Sequence, residues 1–350
     1  LYRSAAEALA VRRGELRLVE CRHCGFVHNT AFRDDLMDYS PDYEVSQAHS
    51  PVFRDFARRT ARDLVDRHAL NEPVVVEIGS GGGDFLRLVV KTVGGRGIGF
   101  DPLFGPSDDG AVEIRRETFG SATRVDGDLL VCRHTLEHLI DPVGLALCGA
   151  AVMGPGTPVY LEVPDLGRIV DQGAFWDLYH EHVGYFDPHS LAGAAGRAGV
   201  AVGDTELVFS DQYVVAHGTV DGRRREVEST RCRRDWGAMA ASLDTWSQWA
   251  RQVASSGRLL VWGATSRSAC LLASVPELEI VALTDVNPAK WGMYLPGVAV
   301  PISSPDEVVS LRPDLALALN PIYGSEIGAS LSDMGLDIPL WVLGSTPTVV

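Results

Sequence analysis

Two short runs hold most of the side chains able to do chemistry. In Glu77-Ile78-Gly79-Ser80-Gly81-Gly82-Gly83, closely spaced glycines let backbone amides approach a ligand, and Asp101 lies further along. A carboxylate at the end of the strand after such a turn can hold a ribose diol. In Tyr179-His180-Glu181-His182 a phenol, a carboxylate and two imidazoles fall together. Imidazole suits proton abstraction near neutral pH, and a neighbouring carboxylate raises its basicity. Set in a cleft, these groups could remove a proton, orient the base and stabilise a developing enolate. The competing use of the same stretch is packing, since His182 is followed at three and four residues by Tyr185 and Phe186. A third feature, Cys21-x-x-Cys24-Gly25, is half of a metal knuckle.

The surrounding sequence supplies elements to position these groups. Ser50-Pro51 opens a helix with an N-cap and Pro at its first position, and Val52, Phe53, Phe56, Ala57, Thr60, Ala61, Leu64 and Val65 share one face of it. Val74–Ile78 reads as a buried strand breaking into the glycine turn, with helix over 85–93. Further strands are expected at 97–101, 128–132 and 157–164, and an antiparallel hairpin at 201–220 bending at Ser210-Asp211. Strands alternating with helices indicate a mostly parallel α/β sheet. Residues 231–256 read as a long polar helix joining two domains, and a second α/β pattern starts at Arg258, with strands at 259–262, 280–284, 315–319 and 340–343. The expected domains are a partial zinc-binding-like segment (1–49), a ligand-binding α/β core (50–225), a helical linker (226–256) and a C-terminal Rossmann-like domain (257–350).

Composition narrows the function classes. Lys+Arg 31 against Asp+Glu 46 gives a net charge of −15 over 350 residues, so no basic face is expected to track nucleic acid. The apolar runs are short for a bilayer span and no signal-peptide pattern opens the chain, so a cytoplasmic protein without membrane partners is expected. Only Lys91 and Lys290 are lysines and no G-K-[ST] triplet occurs, which leaves little room for Schiff-base chemistry and none for a P-loop. Six cysteines, four of them scattered (Cys132, Cys148, Cys232, Cys270), do not form a disulfide framework.

The order of strand, E-x-G-x-G-x-G turn, helix and acidic second strand resembles the class I methyltransferases that bind S-adenosylmethionine. The resemblance implies that Glu77, Gly79, Gly81 and Gly83 flank the methionine part and that Asp101 takes the ribose hydroxyls. It also implies that Cys132, Arg133 and His134, at a strand end, lie near the methionine, and that residues around Glu117 and Phe119 lie near adenine. Tyr179-x-Glu181-His182 is similar to the motif of three-domain sugar C-methyltransferases acting on nucleotide-linked keto-deoxysugars. Those proteins have an N-terminal zinc-binding domain and a C-terminal Rossmann-like domain, and Cys21-x-x-Cys24 and Gly263-Ala264-Thr265 match that order. Carried over, His182 or Tyr179 removes a proton beside a 4-keto group, Glu181 orients that base, and His138 and His180 contact substrate. O- or N-methylation of a sugar or other small acceptor, and a catalytically silent binding role, remain open. Tyr43-Glu44-Val45-Ser46 and Ser50-Pro51-Val52-Phe53 depart from the pattern and suggest a distinct branch.

In the C-terminal half, the Gly263-Ala264-Thr265 turn into a helix offers amides and a helix dipole to a phosphate. Thr265, Ser266, Arg267, Asn320 and Tyr323 are the candidate acceptor contacts, against the alternative of a dinucleotide fold kept for packing. Without G-x-G-x-x-G, NAD binding is not expected. A structural zinc needs four ligands, and Cys21 and Cys24 supply two. The chain opens at Leu1 as though inside a longer segment. Zinc is therefore expected only if an upstream cysteine pair completes the site.

Overall fold

The computed structural model describes residues 1–37, 49–226, 234–255 and 257–350. Tyr43-Glu44-Val45-Ser46 and Cys232 lie outside the described residues. The chain begins with a short helix, α1 (Ala5–Leu9), closed by a reciprocal cap in which Ser4 Oγ accepts from the Glu7 amide and the Glu7 carboxylate accepts from the Ser4 amide. An antiparallel pair follows, β1 (Leu18–Glu20) and β2 (Val27–Asn29), with Cys21 and Cys24 in the turn between them.

Helix α2 (Pro51–Arg67) has the expected cap, Ser50 Oγ accepting from Phe53 N–H, and buries Phe56, Ala57, Thr60, Ala61 and Leu64 on one face. The core then runs through β3 (Val74–Ile78), α3 (Asp84–Val93), β4 (Arg96–Phe100), β5 (Ser107–Asp108), β6 (Val112–Arg115), β7 (Leu129–Arg133), α4 (Pro142–Met153), β8 (Pro158–Pro164) and α5 (Leu166–Asp171). It closes with β9 (Gly184–Tyr185), α6 (Pro188–Arg197), β10 (Val200–Val208) and β11 (Tyr213–Val220). Eight of these strands form one sheet in the order β10-β11-β8-β7-β3-β4-β6-β5, parallel from β8 to β6 with antiparallel strands at both ends. Both faces of the parallel strands are covered, which explains their near-continuous apolar runs.

Strand β9 does not join that sheet. It pairs with β2, Val27 opposite Tyr185 and His28 opposite Gly184, completing a three-stranded sheet with β1. The N-terminal segment thus takes the third strand of its sheet from the core.

Helix α7 (Gly237–Ala254) corrects the linker expectation for 226–256. Trp246, Trp249, Ala250 and Val253, at helical spacing, are buried in one apolar cluster with Leu259, Val261, Leu315 and Leu317. Trp246 Nε1 also donates to Gly344 O at 2.9 Å. The polar face suggested a solvated bridge, but the tryptophan stripe makes the helix part of the C-terminal core. That domain continues with β12 (Leu259–Trp262), α8 (Ser266–Ser274), β13 (Ile280–Thr284), β14 (Ile302–Ser303), α9 (Pro305–Leu311), β15 (Leu315–Ala318), α10 (Gly324–Asp333), β16 (Leu340–Val342) and β17 (Thr348–Val349). Its sheet order is β14-β13-β12-β15-β16-β17, parallel except at β17. The cluster around Trp246 extends to Leu166, Phe175 and Trp176 of the preceding core, so the two domains share apolar packing. Among the described residues no helix is long and apolar enough to cross a membrane.

Trp246→Ala should lower unfolding stability by about 3–5 kcal/mol in denaturant titrations, as for a fully buried aromatic. A change within about 0.5 kcal/mol, typical of an exposed site, would restore the linker assignment.

Candidate active site

Strand β3 lies between β4 and β7, and the order of connection reverses there, opening a crevice at the strands' C-terminal ends. Gly79, Gly81 and Gly83 line the turn out of β3 with φ of 71°, 53° and 84°. At Gly79 a Cβ would stand 1.9 Å from Thr135 Oγ1, so the turn is pressed against the segment that follows β7. Asp101 Oδ2 accepts from Gly81 N–H and Oδ1 from Leu103 N–H, both at 2.9 Å. The carboxylate braces the turn and keeps lone pairs for a diol. Glu77 is 3% exposed, its Oε2 has no partner, and burial pushes its pKa up to about 8. A buried acid with an unfilled oxygen beside a glycine turn fits a cationic donor such as S-adenosylmethionine.

The other expected donor contacts divide. Phe119 packs edge-on against Phe100, ring centroids 5.0 Å apart, inside the core. Cys132 is buried in the same core, which pushes its thiol pKa up and leaves the backbone as what it can present. Arg133 needs a correction. Its Nη2 and Nε donate to Glu162 Oε1 at 2.7 and 3.1 Å, and the guanidinium lies 4.2 Å from the Phe85 ring centroid. It serves the sheet interior rather than a ligand.

His134 sits where the two regions meet. Its Nε2 lies 2.9 Å from Glu162 Oε1 and its Nδ1 3.8 Å from Glu137 Oε1. Burial opposes the charge, but these carboxylates push the imidazole up to about 9, so it is cationic at neutral pH. The residue holds φ of 49°, a conformation uncommon outside glycine.

Beyond it the rings of His138 and His182 meet edge to face at 4.9 Å, and Tyr179 and His182 at 4.8 Å. Nδ1 of both imidazoles and Oε2 of Glu137 are buried without hydrogen-bond partners. Ligating atoms of Glu137, His138 and His182 lie within 4.8 Å of one another, a grouping that also has the donor types of a transition-metal site. Burial, then the neighbouring His138, pulls His182 down to about 4, whereas Glu137 ionises below its ordinary value against its burial because of His134. These side chains border a cavity of about 820 Å³ between the core, the C-terminal domain and the N-terminal segment. That volume suits a small-molecule ligand. Its walls include His134 but not the glycine turn. Segment 134–138, touching Gly79 through Thr135, therefore lies between the glycine turn and the cavity.

Tyr179 OH donates to Asp177 Oδ1 at 2.9 Å, and burial together with that carboxylate raises the phenol well above its ordinary value. It keeps its proton, so of the two only His182 has an unpartnered ring nitrogen able to accept one. Glu181 does not orient that base: its Oε1 accepts from Ser266 Oγ at 3.0 Å, across the domain boundary. The carboxylates beside the catalytic candidates are Glu137 and Asp177. His180 is also corrected. Its Nδ1 lies 3.0 Å from Glu15 O, its Nε2 accepts from Arg33 N–H at 3.2 Å, and its ring stacks on Phe32. Both nitrogens anchor the N-terminal segment, so neither is left for an acceptor.

The phosphate cradle expected at Gly263 is closed by the protein itself. Gly263 N–H donates to Thr284 O, Ala264 N–H to Asp285 Oδ2 and Thr265 N–H to Ser268 Oγ, at 2.8, 2.8 and 2.9 Å. Asp285 in turn holds Lys290 at 3.0 Å. Ser266 and Arg267 are engaged by Glu181 and Asp177. Asn320 exchanges amide hydrogen bonds of 2.8 and 2.9 Å with Gln212. Thr265 and Tyr323 remain on the cavity wall. Cys21 and Cys24 lie together at the β1–β2 turn, where backbone amides of Cys24 and His23 lower the Cys21 thiol and burial raises Cys24. Among the described residues no third ligand joins them, so the pair does not fit a complete zinc site.

Asp177, Arg168 and Gln212 were not anticipated. Asp177 adjoins the Tyr179 motif, but nothing in the spacing shows that it meets arginines 9 and 90 residues away.

Residues 53–203 match the methyltransferase domain family, and residues 239–337 match the C-methyltransferase C-terminal domain family. C-methyltransferase NovU of Streptomyces niveus is 27% identical over 348 residues, covering 89% of this chain and 81% of that protein. Among solved structures, a SAM dependent methyltransferase from Aquifex aeolicus is 14% identical, covering 53% of this chain and 99% of its own, with a TM-score of 0.40. Burkholderia thailandensis 1,6-didemethyltoxoflavin-N1-methyltransferase is 18% identical, covering 49% of this chain and 81% of its own, with a TM-score of 0.39. The two matches, in chain order, identify the chain as an S-adenosylmethionine-dependent methyltransferase whose C-terminal half is similar to the C-methyltransferase C-terminal domain.

Proposed function

We propose that the enzyme methylates a carbon atom of a nucleotide-linked keto-deoxysugar, with His182 as general base. The observation that carries this is a buried, neutral imidazole with an unpartnered Nδ1, flanked by His138, Tyr179 and Glu137 on a cavity of about 820 Å³. Support for carbon as the methylated atom comes from the C-terminal domain family and from the name of the Streptomyces niveus relative.

S-adenosylmethionine, when bound, supplies an electrophilic methyl group on a cationic sulfur. Glu77, Asp101 and the glycine turn would hold it, the first through its unpartnered carboxyl oxygen and the second by hydrogen bonds to a diol. His182, neutral at physiological pH, takes the proton from the carbon beside the keto group. The electron pair left behind delocalises onto the keto oxygen, and the enolate carbon is the nucleophile for methyl transfer. His134, cationic and in the same cavity wall, favours the negative charge as it develops. Glu137 sits where it can offset the charge gained by His182. Tyr179, its proton committed to Asp177, offers oxygen lone pairs to the cavity.

With a thymidine diphosphate 4-keto-6-deoxysugar in deuterium oxide, the wild-type enzyme should wash deuterium into the carbon next to the carbonyl. His182→Gln should lose both exchange and turnover by roughly 10²–10⁴-fold with cofactor affinity intact. Methyl transfer to oxygen or nitrogen, with that carbon left unexchanged, would sink the proposal. Because His182 is held at about 4, the acid limb of kcat for this group should fall near that pH rather than near 6.5. Glu77→Gln should weaken S-adenosylmethionine binding by roughly 10-fold, as expected on losing a hydrogen bond to a charged group. Relative to the wild type, the ligand-free variant should gain stability as pH rises, because the wild-type native state binds the Glu77 proton more tightly than the unfolded chain does. Native stability is complete below the ordinary 4.5 and erodes as pH climbs through about 8, so the gain should be greatest at pH 8. A melting-temperature difference between Glu77→Gln and the wild type that is the same at pH 5 and pH 8 would count against a protonated Glu77.

A further inference from the structure

We infer that Arg267 of the C-terminal domain is a positioning residue for Tyr179, acting through Asp177, so that α8 completes the active site of the neighbouring domain.

Helix α8 grips the 175–181 segment at several points. Ser266 Oγ donates to Glu181 Oε1 at 3.0 Å, and Cys270 Sγ lies 3.3 Å from Phe175 O and 3.4 Å from Leu178 O. Arg267 Nε donates to Asp177 Oδ1, and its Nη2 to Gln212 Oε1 at 3.1 Å. Gln212 is fixed in turn by Asn320. Asp177 Oδ1 is also the atom that receives the Tyr179 hydroxyl, at 2.9 Å. Arg168 holds the other oxygen, Oδ2.

The arrangement is costly unless complete, since Asp177 is 4% exposed and a carboxylate out of water needs charged partners. Arg168 and Arg267 divide the task. Arg168, from α5, already neutralises the charge within its own domain. Arg267 adds a second guanidinium to the very oxygen that orients the phenol, and its other arm reaches the Gln212–Asn320 pair. With its proton directed at Asp177, the phenol oxygen presents its lone pairs to the cavity at a fixed angle, 4.8 Å ring to ring from His182. Arg267 lines the cavity, yet its Nε and Nη2 are engaged by protein groups. The geometry therefore points to alignment rather than acceptor binding.

The kinetic arm of the test rests on the proposed function; the spectroscopic arm does not. In the full-length chain, Arg267→Met leaves Asp177 paired with Arg168, so folding should survive. With S-adenosylmethionine and a thymidine diphosphate 4-keto-6-deoxysugar, it should lower kcat roughly 10–100-fold, as for a misplaced group. KM and the S-adenosylmethionine Kd should stay within about threefold. In the Tyr179→Phe background the same substitution should add almost nothing, since both act through one group. Arg267→Lys should recover part of kcat, because it keeps the charge and loses the fork. Separately, 3-fluorotyrosine placed at position 179 should show a shifted ¹⁹F resonance in both Arg267→Met and Asp177→Asn. An equal loss of kcat in both backgrounds, a rise in KM alone, or an unmoved ¹⁹F resonance overturns the inference. If the wild-type enzyme does not turn over the sugar, the proposed substrate fails while the fluorine signal still decides the role of Arg267.

Discussion

A single buried carboxylate, Asp177, ties the parts of the molecule together. Its oxygens take Arg168 from one domain, Arg267 from the other and the hydroxyl of Tyr179 between them. An ion removed from water is tolerable only with such partners, so the two domains are constrained to meet at this point. The shared apolar cluster running from Leu166 and Trp176 to Trp246 and Leu317 supplies nondirectional burial, while Asp177 supplies the register. Helix α7, with its tryptophan stripe, therefore belongs to the same constraint, because its packing sets how far α8 can reach.

The active-site region separates charged from neutral imidazole over a short distance. His134 lies between Glu162 and Glu137 and is held cationic; His182, beside another imidazole and away from water, is held neutral. Glu162 is itself fixed by Arg133 and Tyr160. The buried network thus alternates in sign from Arg133 to Glu137 and ends at the unpartnered atoms facing the cavity. Opposite environments for like groups are how one fold supplies a base and an electrostatic partner together. Segment 134–138 gives this a spatial sense, with the glycine turn on one side and the cavity on the other.

The parts of the fold legible in sequence were those governed by local rules. Ser50-Pro51 announced α2, the valine run announced β3, and the glycines required positive φ at the turn that follows. The hairpin bend fell at 209–212, where Phe209, Ser210 and Asp211 hold positive φ between the two paired strands. Less visible were elements defined by distant partners. The β9 strand has two residues and exists only because β2 lies beside it. The polar surface of α7 concealed its tryptophan face. The candidate site followed the same division: the nearness of Tyr179 to His182 could be read from the motif, but not the partners of their neighbours. Glu181 was expected to orient the base, and His180, Arg267 and Asn320 to face a ligand; each is engaged by another part of the chain through contacts with no counterpart in local spacing.

Those engaged residues explain why the cavity has three kinds of wall. His180 holds the N-terminal segment through Glu15 and Arg33, and a Cβ on Gly14 would stand only 2.1 Å from its Nδ1. Glycine at position 14 is what allows the backbone to come that near. The same segment reaches the C-terminal domain, where Tyr2 and Tyr294 exchange backbone hydrogen bonds of 2.9 and 2.8 Å and Gly297 N–H donates to Ala8 O. Successive residues of one short stretch therefore face different structural partners: Asp177 and Glu181 the C-terminal domain, His180 the N-terminal segment, and His182 the cavity. A stretch held from both sides keeps its remaining side chains aimed inward, which a loop with solvent on one side could not do. The polar contacts that use up the expected ligand groups are thus the same contacts that fix the direction of Tyr179 and His182.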